Sequence, residues 1–309
     1  MNNNKYIISI VGTTAIGKTV LGIKLAQYFN AEIISADSRQ FFKEMEIGTA
    51  VPNKEELAAA KHHFIQNLSI FDNYSVGDFE RDALKKIEEL HKKSDIVILL
   101  GGSGLYVNAV LKGLDYFPQI DPEIRVNLKK SLEENGIELL QNQLKDLDEV
   151  SYNKIEIYNP QRLIRALEIC IGSGKPYSSF LNKKLGNRNF IPIKIGLTAE
   201  REIIYDRINQ RVDLMIEKGL LEEAKQLYPN KELNALQTVG YRELFKYFDG
   251  EFTLDFAISE IKKNTRRFAK RQITWFKKDT ETKWFNYLKD INSITSFVEE
   301  QVRGTDTIH

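Results

Sequence analysis

"SIVGTTAIGKTVLGIKLA", residues 9–26, passes from a short apolar run through a glycine-bounded loop into a helical pattern. Gly12, Gly17, Lys18 and Thr19 fit G-x-x-x-x-G-K-[ST] without a gap, with a strand before the motif and a helix after it. In such a loop successive backbone N–H groups turn inward around an anion, and the helix that follows adds the positive end of its dipole. The span Gly12, Thr13, Thr14, Ala15, Ile16, Gly17, Lys18 and Thr19 is therefore read as a phosphate cradle. Lys18 supplies a formal charge and Thr19 a hydroxyl for a hard cation such as Mg²⁺.

Working outward, Tyr6–Val11, Glu32–Ser35 and Asp95–Leu100 read as short buried strands separated by helix-like stretches. "IPIKIGL" at 191–197 is a fourth, and "KWFNYL" near 283 a late edge strand. The alternation predicts an α/β fold: a P-loop NTPase-like parallel sheet core with helices on both faces. Between Asp121 and about Asn189 the texture becomes helical, with cap-and-proline signals at Asp121–Pro122 and Asn159–Pro160 and stops at Gly172 and Gly174. This reads as a helical insertion domain, 121–189, in a catalytic core made of 1–120 and 190–309.

Bulk properties narrow the class. The 309 residues carry 44 basic and 43 acidic side chains, a net charge of +1, which argues against an obligate nucleic-acid coat protein and leaves local patches open. One cysteine, Cys170, excludes a disulfide framework and lies in an apolar pattern that reads as core. No apolar run approaches about 20 residues, so no membrane, a cytoplasmic location and a monomer with no obligate protein partner are expected. His62 and His63 lack metal-ligand spacing and read as surface or structural.

A P-loop hydrolase carries an acid at the C-terminal end of a second core strand. Here "SDIVILLGGSGLY" ends in Gly101 and Gly102 instead, while Asp37 follows the second strand in "ISADSRQ". Asp37 fits a carboxylate beside bound phosphates, and also a turn or cap residue. From Lys262 to Lys278 there are eight basic residues and no acid. At helical spacing 262, 266 and 270 form one row and 263, 267 and 271 the next, with Ile261, Phe268 and Trp275 on the other face. That is a footprint for a polyanion, or a solvated face paired with acidic neighbours.

These segments, "GTTAIGKT", "ISADSRQFFKEMEIGTA", "LLGGSGLY", "NPQRLIRALE", "RVDLMIEKGLLEE", "TVGYRE" and "NTRRFAKRQITWF", resemble in order those of the tRNA dimethylallyltransferases, also called tRNA isopentenyltransferases. Ser103 stands where that family usually has threonine, and Thr13 where its loop often has proline. The resemblance implies transfer of a dimethylallyl group from dimethylallyl diphosphate to the exocyclic N6 amine of the adenine just 3′ of the anticodon. The cradle, nucleotide-binding in form, then holds a diphosphate leaving group, with Thr19 on Mg²⁺. Asp37 is implied as the general base, with Lys18, Thr19 and Arg211 completing the catalytic set; a surface ion pair is the competing reading of Arg211. The implied tRNA surface comprises Asp37, Ser38, Arg39, Gln40, Ser103 and Arg125, then Gln161, Arg162, Leu163, Ile164 and Arg165. Gln237, Thr238, Val239, Gly240, Tyr241 and Arg242, with Lys270, Arg271, Gln272, Thr274, Trp275 and Lys277, grip the anticodon stem-loop. A P-loop small-molecule kinase, a prenyltransferase of free AMP or ATP, and a non-enzymatic RNA-binding module share parts of this pattern.

Overall fold

The computed structural model describes residues 4–181 and 188–306. Two units separate, Met1–Lys112 with Arg188–His309, and Gly113–Asn187. In chain order the first unit begins β1 (Tyr6–Gly12), α1 (Lys18–Phe29), β2 (Ile33–Ser35), α2 (Lys54–Ala59), β3 (His62–His63), α3 (Val76–His91), β4 (Ile96–Leu100) and α4 (Gly104–Lys112). The helical unit holds α5 (Pro122–Asn135), α6 (Ile137–Leu147), α7 (Glu149–Lys154) and α8 (Pro160–Ser173). The first unit resumes with β5 (Ile191–Thr198), α9 (Arg201–Glu217), α10 (Leu220–Leu227), α11 (Tyr241–Phe248), α12 (Leu254–Phe276), β6 (Lys283–Asn286) and α13 (Ile291–Asp306).

The strands form one parallel sheet in the order β3-β2-β4-β1-β5-β6. β1 lies at its centre and is buried along its whole length, as a parallel strand covered on both faces must be. Side chains alternate: Ile8 and Ile10 pack with α1, α9 and α13, whereas Ile7 and Val11 pack with α3 and α4. Helix α12 contributes Ala269 to the first of these clusters and Phe276 to the second, so it spans both faces. A third cluster joins α10, α11 and the first half of α12 to Phe42 and Met45.

The sheet edge holds a strand the sequence pattern did not suggest. His62 and His63 pair with Ile33 and Ile34, and His63 Nε2 lies 2.6 Å from the Glu32 carboxylate, a structural role for the pair. The helical patterns are also more finely divided than their periodicity implies. Gly136 at φ 79° separates α5 from α6, and Gly219 at φ 99° separates α9 from α10. Gly172 does not stop α8, which runs to Ser173 and ends on left-handed Gly174.

The caps at Asp121 and Asn159 form as expected, each side chain accepting backbone amides of the first turn. The helical unit starts at Gly113, eight residues earlier than the first cap suggests, because Phe117 stacks on Tyr177 and Ile120 packs against Gly172. Its core gathers Leu128, Leu140, Leu144, Leu163, Ile164, Leu167 and the buried Cys170. Asp148, also buried, caps α7 and accepts from the amide and hydroxyl of both Ser151 and Ser178, at 2.6–3.0 Å. Burial alone would raise its pKa, but those four donors outweigh it and hold the carboxyl below its usual range.

Asp148→Ala is expected to cost the helical unit about 2–3 kcal/mol, read as a lower midpoint in urea unfolding. Because the folded-state pKa is depressed, that contribution is present above the ordinary Asp value of about 4 and fades as pH falls below it. A wild type and variant that converge only above neutral pH would contradict this.

Candidate active site

The phosphate loop leaves the C-terminal end of β1, where strands of an open parallel sheet present ligands. Ala15 is left-handed at φ 62°, and among the described residues no acceptor meets the amides of Ala15, Ile16, Gly17, Lys18 or Thr19. Orphan amides at a helix start form an anion site. Thr14 is different, since its amide donates to Gln272 Oε1 at 2.8 Å and its hydroxyl accepts from Arg211 Nη1 at 3.3 Å. The expectation for the loop is thus corrected at one position: Thr14 offers a hydroxyl, with its amide already committed. The carbonyls are bound too, Thr13 by Lys18 Nζ at 2.7 Å and Ala15 by Arg207 Nε at 2.8 Å.

Thr14, Asp37, Ser103, Arg211 and the tip of α12 surround one cavity of about 600 Å³. Asp37 follows β2, half-buried; its Oδ1 accepts the Arg39 amide at 3.1 Å, so a turn role and a place on the cavity coexist. Ser38 binds Ser103 through its amide and hydroxyl, both at 3.2 Å, tying β2's loop to β4's. Arg39 donates to the carbonyls of Asn234 and Ala235 at 2.8 and 2.9 Å, and Gln40 to those of Thr49 and Ala50. Both therefore brace neighbouring loops.

Burial lowers the Lys18 pKa to about 8; the nearby Asp37 carboxylate opposes the shift and Arg211 adds to it. Arg211 is half-buried on the cavity wall with its hydrogen bond to the phosphate loop, which removes the surface ion pair as its explanation. Arg207, one helical turn earlier on α9, was not singled out by sequence; its spacing of four from Arg211 was the available signal.

Several expected tRNA contacts are core. Tyr241 is wholly buried with its hydroxyl donating to Glu223 at 2.6 Å, and Leu163 and Ile164 fill the helical unit's interior. Gln272 is buried and spans Thr14 and Gly102. Thr238, Val239, Gly240 and Arg242 do line the cavity with Gln237, Arg271 and Trp275. Lys270 and Thr274 are exposed on α12 and Lys277 at its C-cap, while Gln161 and Arg162 are exposed on α8. Arg125 and Arg165 converge on Glu168, at 3.5 and 3.1 Å.

The α12 pattern also needs correction. Its buried stripe is Ala257, Ile261, Ala269, Gln272 and Phe276, whereas Phe268 and Trp275 are part-exposed and line the cavity. Lys262 pairs with Asp213 and Arg266 with Asn209, so α9 takes up the first two positions of that row. Arg267, Lys270 and Arg271 have no carboxylate partner among the described residues.

Sequence reasoning missed the wall opposite. Glu223 accepts the amides of Glu46, Ile47 and Gly48 at 3.0, 2.7 and 2.9 Å in addition to Tyr241, and so holds the loop that presents Gly48 and Thr49 to the cavity. Met215 supplies apolar surface beside it, backed by the buried Val212 and Leu220.

The C-terminal edge of the sheet thus brings an anion cradle, a carboxylate and a second cation to one partly apolar cavity, the layout of a P-loop enzyme site. The family described as "IPP transferase" matches residues 40–279. A tRNA dimethylallyltransferase of Flavobacterium johnsoniae is 65% identical, over 97% of this chain and 99% of that protein. The homologous enzyme of Christiangramia forsetii is 62% identical at the same coverages. Among solved structures, the full-length tRNA isopentenylpyrophosphate transferase of Bacillus halodurans superposes with a TM-score of 0.74 at 36% identity, covering 99% of each chain. A eukaryotic dimethylallyltransferase acting on tRNA gives 0.80 at 25% identity, covering 97% of this chain and 80% of that one. The chain belongs to the IPP transferase family.

The depressed Lys18 pKa makes a pH test direct. Inorganic diphosphate favours the ammonium form, so its affinity is expected to fall as pH rises through about 8, by up to about tenfold per unit toward pH 10. Lys18→Arg keeps its charge throughout and should lose that extra decline in isothermal titration. Equal pH slopes for the two proteins would remove Lys18 from the anion site.

Proposed function

We propose that the cavity is the chamber in which a dimethylallyl group passes from dimethylallyl diphosphate to the N6 amine of the adenine 3′-adjacent to a tRNA anticodon. The products are N6-(dimethylallyl)adenosine and diphosphate. The observation that carries this reading is that Thr14 of the phosphate loop, the Asp37 carboxylate and the Arg211 guanidinium line a single, partly apolar cavity, and that the loop after Thr14 carries the uncommitted amides of Ala15 to Thr19. As the allylic C–O bond breaks, charge grows on the diphosphate, where amides, Lys18 and Arg211 stabilise it. As the C–N bond forms, the amine proton passes to Asp37, a base within the same cavity. Met215, over the buried Val212 and Leu220, suits the five-carbon group and helps exclude water from an electrophilic carbon.

The adenine reaches this space only when turned out of the anticodon stack. Phe268 and Trp275 offer it faces for stacking, and the unpaired cations of α12 suit the flanking phosphates. Gln161, Arg162, Arg165 and Arg125 of the helical unit are further candidates for the tRNA surface. The Thr19 hydroxyl at the start of α1, together with diphosphate oxygens, would hold Mg²⁺, which would neutralise charge on the leaving group. No helix among the described residues is long and apolar enough to cross a membrane, in keeping with action on tRNA in the cytoplasm.

Labelled dimethylallyl diphosphate offered with tRNA, AMP or ATP should deliver label to tRNA alone. Label in AMP or ATP only would replace this reading with that of a free-nucleotide prenyltransferase. Asp37→Asn is expected to lower kcat by about 10²- to 10⁴-fold while tRNA and diphosphate still bind; full turnover would exclude Asp37 as the base.

For α12, Arg267→Ala with Lys270→Ala should weaken stem-loop binding and make the log–log salt slope shallower by about 1.4 to 1.8, the value for two lost phosphate contacts. An unchanged slope would return those cations to a solvated face.

A further inference from the structure

The buried stripe of α12 is apolar except for Gln272, which is 5% exposed. A buried carboxamide is tolerated only when it is hydrogen-bonded, so its partners reveal its purpose. Both are main-chain groups of the phosphate site. Oε1 accepts the Thr14 amide at 2.8 Å, and Nε2 donates to the Gly102 carbonyl at 2.9 Å. The two partners fix the orientation of the amide, because one can only donate and the other can only accept. Gly102 must be glycine for this contact, since a Cβ there would lie 2.5 Å from Nε2. The residues around Gln272 on the same helix point outward: Lys270, Arg271 and Thr274 are exposed, and Arg267 lies one turn before Arg271.

We propose that Gln272 is a positioning residue that couples the two substrate sites. It ties the phosphate loop and the loop after β4 to the helix whose outer face takes the polyanion. Any displacement of α12 on docking of RNA must then move Thr14 and Gly102 or break one of these bonds. Loop geometry, and with it diphosphate affinity, thereby depends on occupancy of the helix. The dependence is reciprocal, because linkage requires diphosphate to alter RNA affinity by the same factor. This rests on the reading of α12 as the tRNA-facing helix.

The test measures Kd for inorganic diphosphate with and without a saturating tRNA anticodon stem-loop. Wild type, Gln272→Met, which fills similar volume without hydrogen bonds, and Gln272→Glu, which keeps the acceptor for Thr14, are compared. The wild-type ratio is expected to be at least about fivefold, to collapse to within twofold of unity in Gln272→Met, and to be intermediate in Gln272→Glu. Stem-loop affinity and salt slope measured without diphosphate should stay at wild-type values. A wild-type ratio of one, an unchanged ratio in the variants, or a parallel loss of stem-loop affinity that marks Gln272 as a direct RNA contact would each overturn the proposal. Should Gln272→Met fail to fold, judged by its thermal transition, Gln272→Glu decides alone. A separate assay of label transfer by the wild type distinguishes failure of this coupling from failure of the reaction itself.

Discussion

Five consecutive amides, Ala15 to Thr19, have no acceptor among the described residues, while the atoms around them are bonded. A loop with unmet donors would collapse onto nearby carbonyls unless its other atoms were restrained. The restraints fall on those other atoms: the carbonyls of Thr13 and Ala15, the amide and hydroxyl of Thr14. They come from α9 through Arg207 and Arg211, from α12 through Gln272, and from the loop's own Lys18. Preorganisation of this kind keeps electrostatic stabilisation available to an incoming anion without reorganisation at the moment of binding.

The opposite wall of the cavity is held by carboxylates. Glu223 takes three successive amides and a phenol, more donors than most carboxylates find, and so keeps the 46–50 loop against Tyr241. Glu243 does the same for the next wall, accepting the Gly240 amide at 2.8 Å and the Asn264 side chain at 2.9 Å. Because charge-assisted bonds are the strong ones, these two residues define cavity shape more firmly than the apolar contacts beside them. α12 is thus tied to the site at two points, Asn264 and Gln272, two turns apart along its buried side.

What was legible in the sequence was local. The phosphate loop, the buried strands β1, β2, β4 and β5, and the caps at Asp121 and Asn159 each express their physics within a few residues. The illegible part depended on which face meets which neighbour. Tyr241 in "TVGYRE" sits among functional residues but turns inward to Glu223, a partner 18 positions away. Phe268 and Trp275 share helical periodicity with Ile261 yet face the cavity, since α12 passes over the sheet's edge, where its apolar side is only partly covered. β3 is two residues long, and its strand character comes from pairing with β2, not from its own sequence. Glu223 lies in an ordinary amphipathic run, where nothing distinguishes a clamp from a solvated acid.

The glycine pair after β4 explains why this P-loop is suited to losing a diphosphate instead of hydrolysing a triphosphate. An acidic side chain at Gly102 would start 2.5 Å from Gln272 Nε2 and 3.7 Å from Lys18 Nζ. It would displace the strut and pair with Lys18, the one cation within the loop. With glycine there, no carboxylate meets Lys18 from the β4 side, and the carboxylate that lines the cavity is Asp37, after β2. In the function proposed above, an acid at the β2 edge instead of the β4 edge exchanges a group that would hold metal and water at a terminal phosphate for one that would take a proton from nitrogen.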